Sequence, residues 1–193
     1  MTEAEWMAGT NLRRMLEFAG GKVSQRKLQL YAVACHRRVP ASGPDEMATL
    51  FQALERYADG RATLSELEDA YFSIWEGEIG PVPYGWRDAY RVAETAWNFA
   101  ADRPAEARAQ ERLAHCLFGN PFRLTTFDPA WCTPTTTAVA QAIYEDRRFA
   151  DLPILADALE EAGCADADIL DHLRSGGEHY RGCWPVDLCL GNS

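Results

Sequence analysis

The stretch Trp86-Arg-Asp-Ala-Tyr-Arg-Val-Ala-Glu-Thr-Ala-Trp-Asn-Phe-Ala100 shows most clearly how this chain folds. Its apolar side chains return every three or four residues, as they do along one face of an α-helix. The same period recurs in other segments, which are 24–39, 46–58, 64–75, 113–117, 139–144 and 152–159. The best strand candidate, 186–190, follows Pro185 and suits a short helix equally well. The sequence therefore predicts an all-α, multi-helix fold.

Residues that favour helix ends stand at the ends of these periodic segments. Thr2 and Thr63 are each followed three residues later by a glutamate. This is the spacing of a capping box, in which the hydroxyl and the carboxylate each accept a bond from an unpaired amide. Prolines suit the first helical turn, and glycines suit the left-handed position after a helix. These residues are Pro104, Pro134, Pro153, Gly60, Gly119, Gly163 and Gly176. We therefore expect about eight to ten helices.

Two stretches lack the helical pattern. The first, 76–85, is interrupted by glycine and proline and is typical of a connector. The second, 118–133, contains four aromatic residues and is long for an ordinary connection. We expect this irregular, aromatic-rich loop to be held against the core of a single helical domain over 1–193. The alternative is that loop 118–133 marks a seam between two sub-lobes, 1–117 and 134–193.

Composition restricts the class of protein. With 47% apolar residues, the 193-residue chain can bury a core, whereas disordered chains lack this content. The net charge of −10 opposes the approach of nucleic acid, so a nucleic-acid partner is not expected. No apolar run is long enough to span a membrane. The N-terminus has neither the basic start nor the apolar run of a signal peptide, so the prediction is a cytoplasmic protein.

Several phrases along the chain together resemble an uncharacterised bacterial protein family. They are Met1-Thr-Glu-Ala-Glu-Trp6, Met15-Leu-Glu-Phe18, Ser24-Gln-Arg-Lys-Leu28, Cys35-His-Arg-Arg38, Phe118-Gly-Asn-Pro-Phe-Arg123, Gln141-Ala-Ile-Tyr144, Leu152-Pro-Ile-Leu-Ala-Asp-Ala-Leu159 and Arg181-Gly-Cys-Trp184. The family's pattern has two adjacent cysteines before the arginine pair, whereas His36 stands at the second position here. Since no activity is assigned to the family, the resemblance implies a shared fold and no particular chemistry.

The C-terminal segment carries the residue types that zinc prefers, imidazole and thiolate. His172, His179, Cys183 and Cys189 fall within eighteen residues, with Cys164 nearby, and four such donors converging on one point would close a tetrahedral site. Among them, His179 and Cys183 are the candidate metal ligands. Cys35-His36 or His115-Cys116 could join them only through the tertiary fold. The spacing matches no zinc-finger pattern, and the chain has no Cys-x-x-Cys pair. The alternative interpretation is that the cysteines are buried as small apolar side chains and the histidines lie on the surface.

Arginines within or beside the signature phrases form a second candidate site. A guanidinium fork suits carboxylate or phosphate recognition, so Arg37 or Arg38 meeting Arg123 or Arg181 would bind an anion. Asn120 and Trp184 complete the candidate binding residues. The alternative is that these arginines bond loop carbonyls or pair with segment 151–173, which has seven acidic residues and neither lysine nor arginine.

No catalytic motif stands out, and the common phosphate-binding glycine motifs are absent. The leading hypothesis is a non-enzymatic helical interaction, adaptor or regulatory module that binds a protein or peptide and needs no cofactor. The second is a metal- or thiol-dependent site, with zinc as the cofactor, built from the C-terminal histidines and cysteines. The third is an anion- or nucleotide-responsive regulator that uses the arginines. Enzymatic activity and oligomeric state stay open at this point.

Overall fold

The chain is all-α in the computed structural model, which describes residues 1–9, 11–38, 44–73, 86–123 and 125–192, apart from the side chains of 44–47 and 86. These residues form no strand, which confirms the predicted all-α, multi-helix fold. The α-helices are α1 (Glu3–Ala8), α2 (Leu12–Ala19), α3 (Gln25–His36), α4 (Pro44–Ala58), α5 (Leu64–Phe72), α6 (Trp86–Phe99), α7 (Arg103–Phe118), α8 (Pro134–Asp146), α9 (Leu152–Glu161), α10 (Ala167–Arg174) and α11 (Trp184–Leu190). Among the helices described, none has the length and apolar character needed to cross a bilayer.

The helix-end signals act largely as predicted. Thr2 and Thr63 both form complete capping boxes, in which each hydroxyl accepts a bond from the glutamate amide and each glutamate accepts one from the threonine amide. Gly60, Gly119 and Gly163 adopt the predicted left-handed backbone. The prediction for Gly176 is wrong, because the C-cap of α10 is Ser175, whose φ is −66°. The Ser175 amide and hydroxyl both donate to the carbonyl of His172, so the helix closes one residue earlier.

Of the two predicted irregular stretches, 76–85 lies outside the described residues. The other lies between the end of α7 at Phe118 and the start of α8 at Pro134, and it contains a short 3₁₀ helix, Pro129–Trp131. Phe118 is buried, and the rings of Phe127 and Trp131 meet edge to face with centroids 5.3 Å apart. Phe122 remains exposed. The loop is therefore held in part by its own aromatic contacts.

Two compact units make up the chain, Met1–Ala114 and His115–Ser193. The last four residues of α7 belong to the second unit. The single domain over 1–193 and the predicted sub-lobes remain predictions.

A buried polar network joins α3, α6 and α7 in the first unit. The Arg38 Nε atom lies 3.1 Å and 2.9 Å from the two carboxylate oxygens of Glu106. The Gln110 side-chain amide donates to Glu106 and to the carbonyl of Ala93, at 2.9 Å and 2.8 Å. The Tyr31 hydroxyl in turn donates to the carbonyl of Gln110. Because these groups are taken out of water together, each depends on its partners for stability.

Replacing Glu106 by alanine should therefore destabilise the first unit by about 3 kcal/mol, since a buried ion pair that loses one partner costs about 3–5 kcal/mol. We expect the low end of that range because the Arg38 side chain is 22% exposed, so water can partly solvate its charge when Glu106 is removed. Chemical denaturation of the variant measures the loss. The control is Glu94→Ala on the exposed face of α6, which should change stability by at most about 0.5 kcal/mol. Equal effects of the two substitutions would contradict the role of the network.

The second unit has its own apolar core, formed by the end of α7 together with α8, α9, α10 and α11. Its fully buried large side chains are Leu117, Ile143, Tyr144, Leu152, Leu155, Leu159 and Ile169. Packing of these side chains sets the positions of the helix ends, since interiors are close-packed and tolerate little displacement. The end of α7, the last turn of α10 and the start of α11 carry the candidate site described next.

Candidate metal centre

Four side chains of the second unit converge on one point. Their ligand atoms, one from each residue, all lie within 4.8 Å of one another; the residues are Cys116, His172, His179 and Cys183. They come from the last turn of α7, the last turn of α10, the segment between α10 and α11, and the residue before α11. The convergence is therefore produced by tertiary packing of separate elements.

Local structure explains how each ligand is placed. Cys116 lies on the buried side of α7, next to Leu117, and His172 precedes the buried Leu173 on α10. Gly182 has φ +90°, a conformation that glycine adopts without strain. Directly after it, Cys183 serves as the N-terminal flanking residue of α11. The turn at Gly182 thus brings Cys183 into the site as the chain enters the last helix.

Three of the six distances between donor atoms match a tetrahedral ion site, and all six are within 4.8 Å. His172 Nε2 lies 3.3 Å from Cys183 Sγ, and His179 Nδ1 lies 3.7 Å from Cys116 Sγ and 3.8 Å from Cys183 Sγ. Zinc bond lengths of about 2.0–2.3 Å correspond to tetrahedron edges of about 3.3–3.8 Å. The donors are therefore already close to the spacing that a zinc ion requires.

A backbone carbonyl orients His179 for coordination. His179 Nε2 lies 3.1 Å from the oxygen of Ser175, which can only accept a hydrogen bond. In the neutral ring Nε2 therefore carries the proton, and Nδ1 presents its lone pair to the two sulfurs. Metal-binding histidines commonly have such a second bond, which fixes the ring and its tautomer.

The surroundings of Cys116 favour the thiolate, the form that binds metal. Its pKa is held well below the usual range, chiefly by the hydrogen bond from Cys183 and also by those from His172 and His179, which together outweigh burial. Burial tends to lower the pKa of His179, but the hydrogen bond and charge of Cys116 raise it overall. By contrast, burial raises the pKa of Cys35 and of Cys189 to about 12. Cys116 is thus suited to bind a metal as a thiolate, whereas Cys35 and Cys189 are not.

Two different surfaces flank the centre. On one side the Trp184 ring packs against the His172 ring, with centroids 5.5 Å apart, and lies where a Cβ added to Gly119 would come within 3.2 Å of it. On the other side a cleft of about 500 Å³ is lined by residues 149–150, 153 and 174–180, which include His179. Both sulfurs are buried, whereas both imidazoles are half-buried. His179 therefore lies between the sulfurs and the cleft.

The structure brings together the two candidate ligands, His179 and Cys183, and also His172 from the predicted group. Cys189 and Cys164 lie outside the cluster of four. Cys189 is on a later turn of α11, and its carbonyl accepts a weak bond from the Cys132 thiol. Sequence spacing alone did not identify Cys116, because 63 positions separate it from His179. None of the six cysteines forms a disulfide.

The candidate arginines each pair with a carboxylate of their own unit. Arg37 bonds Glu55, and Arg38 bonds Glu106, both in the first unit. In the second unit, Arg123 pairs with Asp168 and Arg181 with Glu145; the Arg181 guanidinium also lies 4.3 Å from the centroid of the Tyr144 ring. Asp168 belongs to the acidic segment, as the alternative interpretation expected. The anion-binding site remains a prediction.

The other two candidate binding residues have local contacts. The Asn120 side chain accepts a bond from the Phe122 amide at 3.0 Å and so shapes the turn after α7. The Trp184 ring packs on the His172 ring, beside the candidate metal centre. Trp184 is therefore positioned to support a metal ligand.

Comparisons of this chain with protein-family models, with curated proteins and with solved structures found no match. The resemblance to an uncharacterised bacterial family stays a prediction that rests on the quoted phrases. The interpretation of the metal centre depends on its own geometry.

Proposed function

We propose that this protein binds one zinc ion through Cys116, His172, His179 and Cys183, and that the ion holds the second unit together. The observation that carries the proposal is the convergence of four donor atoms within 4.8 Å. Two thiolates and two imidazoles are a donor set that zinc favours over magnesium or calcium, which prefer oxygen. Four protein ligands fill a tetrahedral shell and leave no position for a substrate, which supports a structural role.

The origin of the ligands supports the same role. They connect the end of α7, the last turn of α10, the following segment and the start of α11. Residues 175–178 of that segment are exposed, so little apolar burial holds it in place. A small unit with a limited core gains much from a metal cross-link of this kind. Because a closed zinc centre performs no chemistry of its own, the proposal keeps the non-enzymatic character predicted from the sequence.

Elemental analysis tests the proposal directly, on protein purified without a histidine tag or chelator. We expect about one zinc per chain, and loss of that zinc in Cys116→Ser, Cys183→Ser and His179→Gln. The matched controls are Cys132→Ser, which removes an exposed thiol, and His36→Gln in the first unit. Both controls should keep their zinc.

Cobalt(II) titration supplies a second readout of the same site. Four-coordinate cobalt gives strong visible absorption, and its thiolate bonds add charge-transfer bands, so both signals should be present in the wild type. Each Cys→Ser variant of the site should weaken the charge-transfer bands. A wild-type protein that takes up neither zinc nor cobalt after reduction would overturn the proposal, as would equal metal loss in Cys132→Ser.

A further inference from the structure

The sulfurs of Cys116 and Cys183 are direct neighbours. The two sulfurs lie within 4.8 Å of each other. We propose that this pair is an oxidative modification site, at which a peroxide forms an intramolecular Cys116–Cys183 disulfide when zinc is absent. The disulfide removes two of the four donors and so blocks metal rebinding. The protective effect of zinc rests on the function proposed above, whereas the disulfide itself does not.

The geometry permits the bond. A disulfide needs a sulfur–sulfur distance of about 2.05 Å. Since the two sulfurs lie within 4.8 Å of each other, no room is left for another side chain between them. Cys183 lies just before α11 and directly after Gly182, whose φ is +90°. The Cys183 carbonyl accepts the first hydrogen bond of α11, from the Asp187 amide, so the start of the helix stays in place. Rotation about the Cα–Cβ bonds of the two cysteines then lets the sulfurs approach.

His179 controls access to the pair. Both sulfurs are buried, but the His179 ring contacts both of them through Nδ1 and also lines the cleft of about 500 Å³. A single half-buried side chain therefore separates the thiols from a solvent-filled space. In the zinc-bound protein, coordination would hold this ring in place and occupy the sulfur lone pairs. In the metal-free protein, rotation of the ring opens a path for an oxidant as small as hydrogen peroxide.

The reaction proceeds in two balanced steps. One thiolate attacks a peroxide oxygen, the O–O bond breaks, and with one proton the products are a sulfenic acid and water. The second thiol attacks the sulfenic sulfur, the S–S bond forms and the S–O bond breaks. The proton of the second thiol leaves with the departing hydroxide as water. Overall the two thiols lose two electrons, and one peroxide is reduced to two waters.

Peptide mapping of oxidised protein tests the proposal. The starting protein carries Cys132→Ser, because Cys132 is exposed and would react on its own. One sample is loaded with zinc, another is stripped with a chelator, and both receive hydrogen peroxide before alkylation and proteolysis. We expect a peptide linked through Cys116 and Cys183 in the stripped sample. With free zinc at about 100 times Kd, its formation should be about 100-fold slower, because only the metal-free fraction reacts.

Variants and reduction complete the test. Adding Cys116→Ser or Cys183→Ser should abolish the linked peptide, and thiol reduction should restore zinc uptake by the parent. A stripped sample that forms a different cysteine pair, or no linked peptide at all, would overturn the proposal. Equal rates with and without bound zinc would overturn the protective role. If the isolated protein binds no zinc but still forms this linked peptide, the proposed function fails and the modification site stands.

Discussion

Removing zinc should lower the free energy of unfolding of the protein by about 4 kcal/mol when the comparison is made at free zinc about 1,000 times Kd. The reason is linkage: the folded second unit presents four assembled donors, whereas the unfolded chain separates Cys116 from His172 by dozens of residues. For a chain of this length, such a loss corresponds to a fall in Tm of about 8–16 °C. Calorimetry with added zinc and with added chelator measures the shift.

Hydrogen exchange should place the effect in the second unit. With zinc removed, amides of 175–190 should lose protection, because His179 and Cys183 no longer hold the segment before α11. Amides of α5, in the first unit, should be unchanged. A Cys116→Ser/Cys183→Ser double variant should be insensitive to chelator. If the protein binds zinc but its Tm does not depend on the metal, the structural role is contradicted.

Replacing Gly119 by alanine should destabilise the second unit by about 2–5 kcal/mol and weaken zinc binding. Gly119 has φ +64°, which costs a residue with a Cβ about 1–2 kcal/mol. The added Cβ would also lie 3.2 Å from Trp184 Cγ and Cδ2, and overpacking costs about 1–3 kcal/mol. Since the Trp184 ring packs on His172, displacing it moves a metal ligand. Chemical denaturation and competitive zinc titration measure the two effects.

Gly191→Ala is the matched control for this substitution. Gly191 lies in the same unit with nearly the same φ, +66°, but an added Cβ would meet nothing within 4 Å. The control should show the backbone cost alone, about 1–2 kcal/mol, with unchanged zinc affinity. Equal zinc affinities in the two variants would show that Trp184 does not support His172.

The helix ends show which structural features local sequence can predict and which it cannot. Thr2 and Thr63 cap their helices as predicted, because a capping box closes over three residues and needs no distant partner. Gly176 illustrates the limit of such patterns, since Ser175 competes for the same carbonyl and ends α10 first. Both outcomes were settled by hydrogen bonds between residues less than one turn apart.

In the metal centre, too, some ligands could be predicted from local sequence, whereas another was placed only by tertiary packing. His179 and Cys183 could be selected from the sequence because their residue types are zinc ligands and they lie four positions apart. Cys116 carries no local signal, since its neighbours form an ordinary amphipathic helix end. Only the packing of the second unit places it 3.7 Å from His179. The arginines behave similarly, because each guanidinium could have faced several carboxylates, and packing selected Glu106 for Arg38 and Asp168 for Arg123.

By itself the sequence determined the all-helical fold and the C-terminal group that supplies three of the four proposed ligands. Helical periodicity, helix caps and the chemistry of ligand side chains depend on residues that lie within a few positions of one another in the sequence. They can therefore be recognised without the tertiary structure. The tertiary structure decided which distant thiol completes the centre and which surface His179 faces. Both depend on how the buried side chains of the second unit pack together. Because the interior is close-packed, the position of each side chain depends on contacts throughout the core.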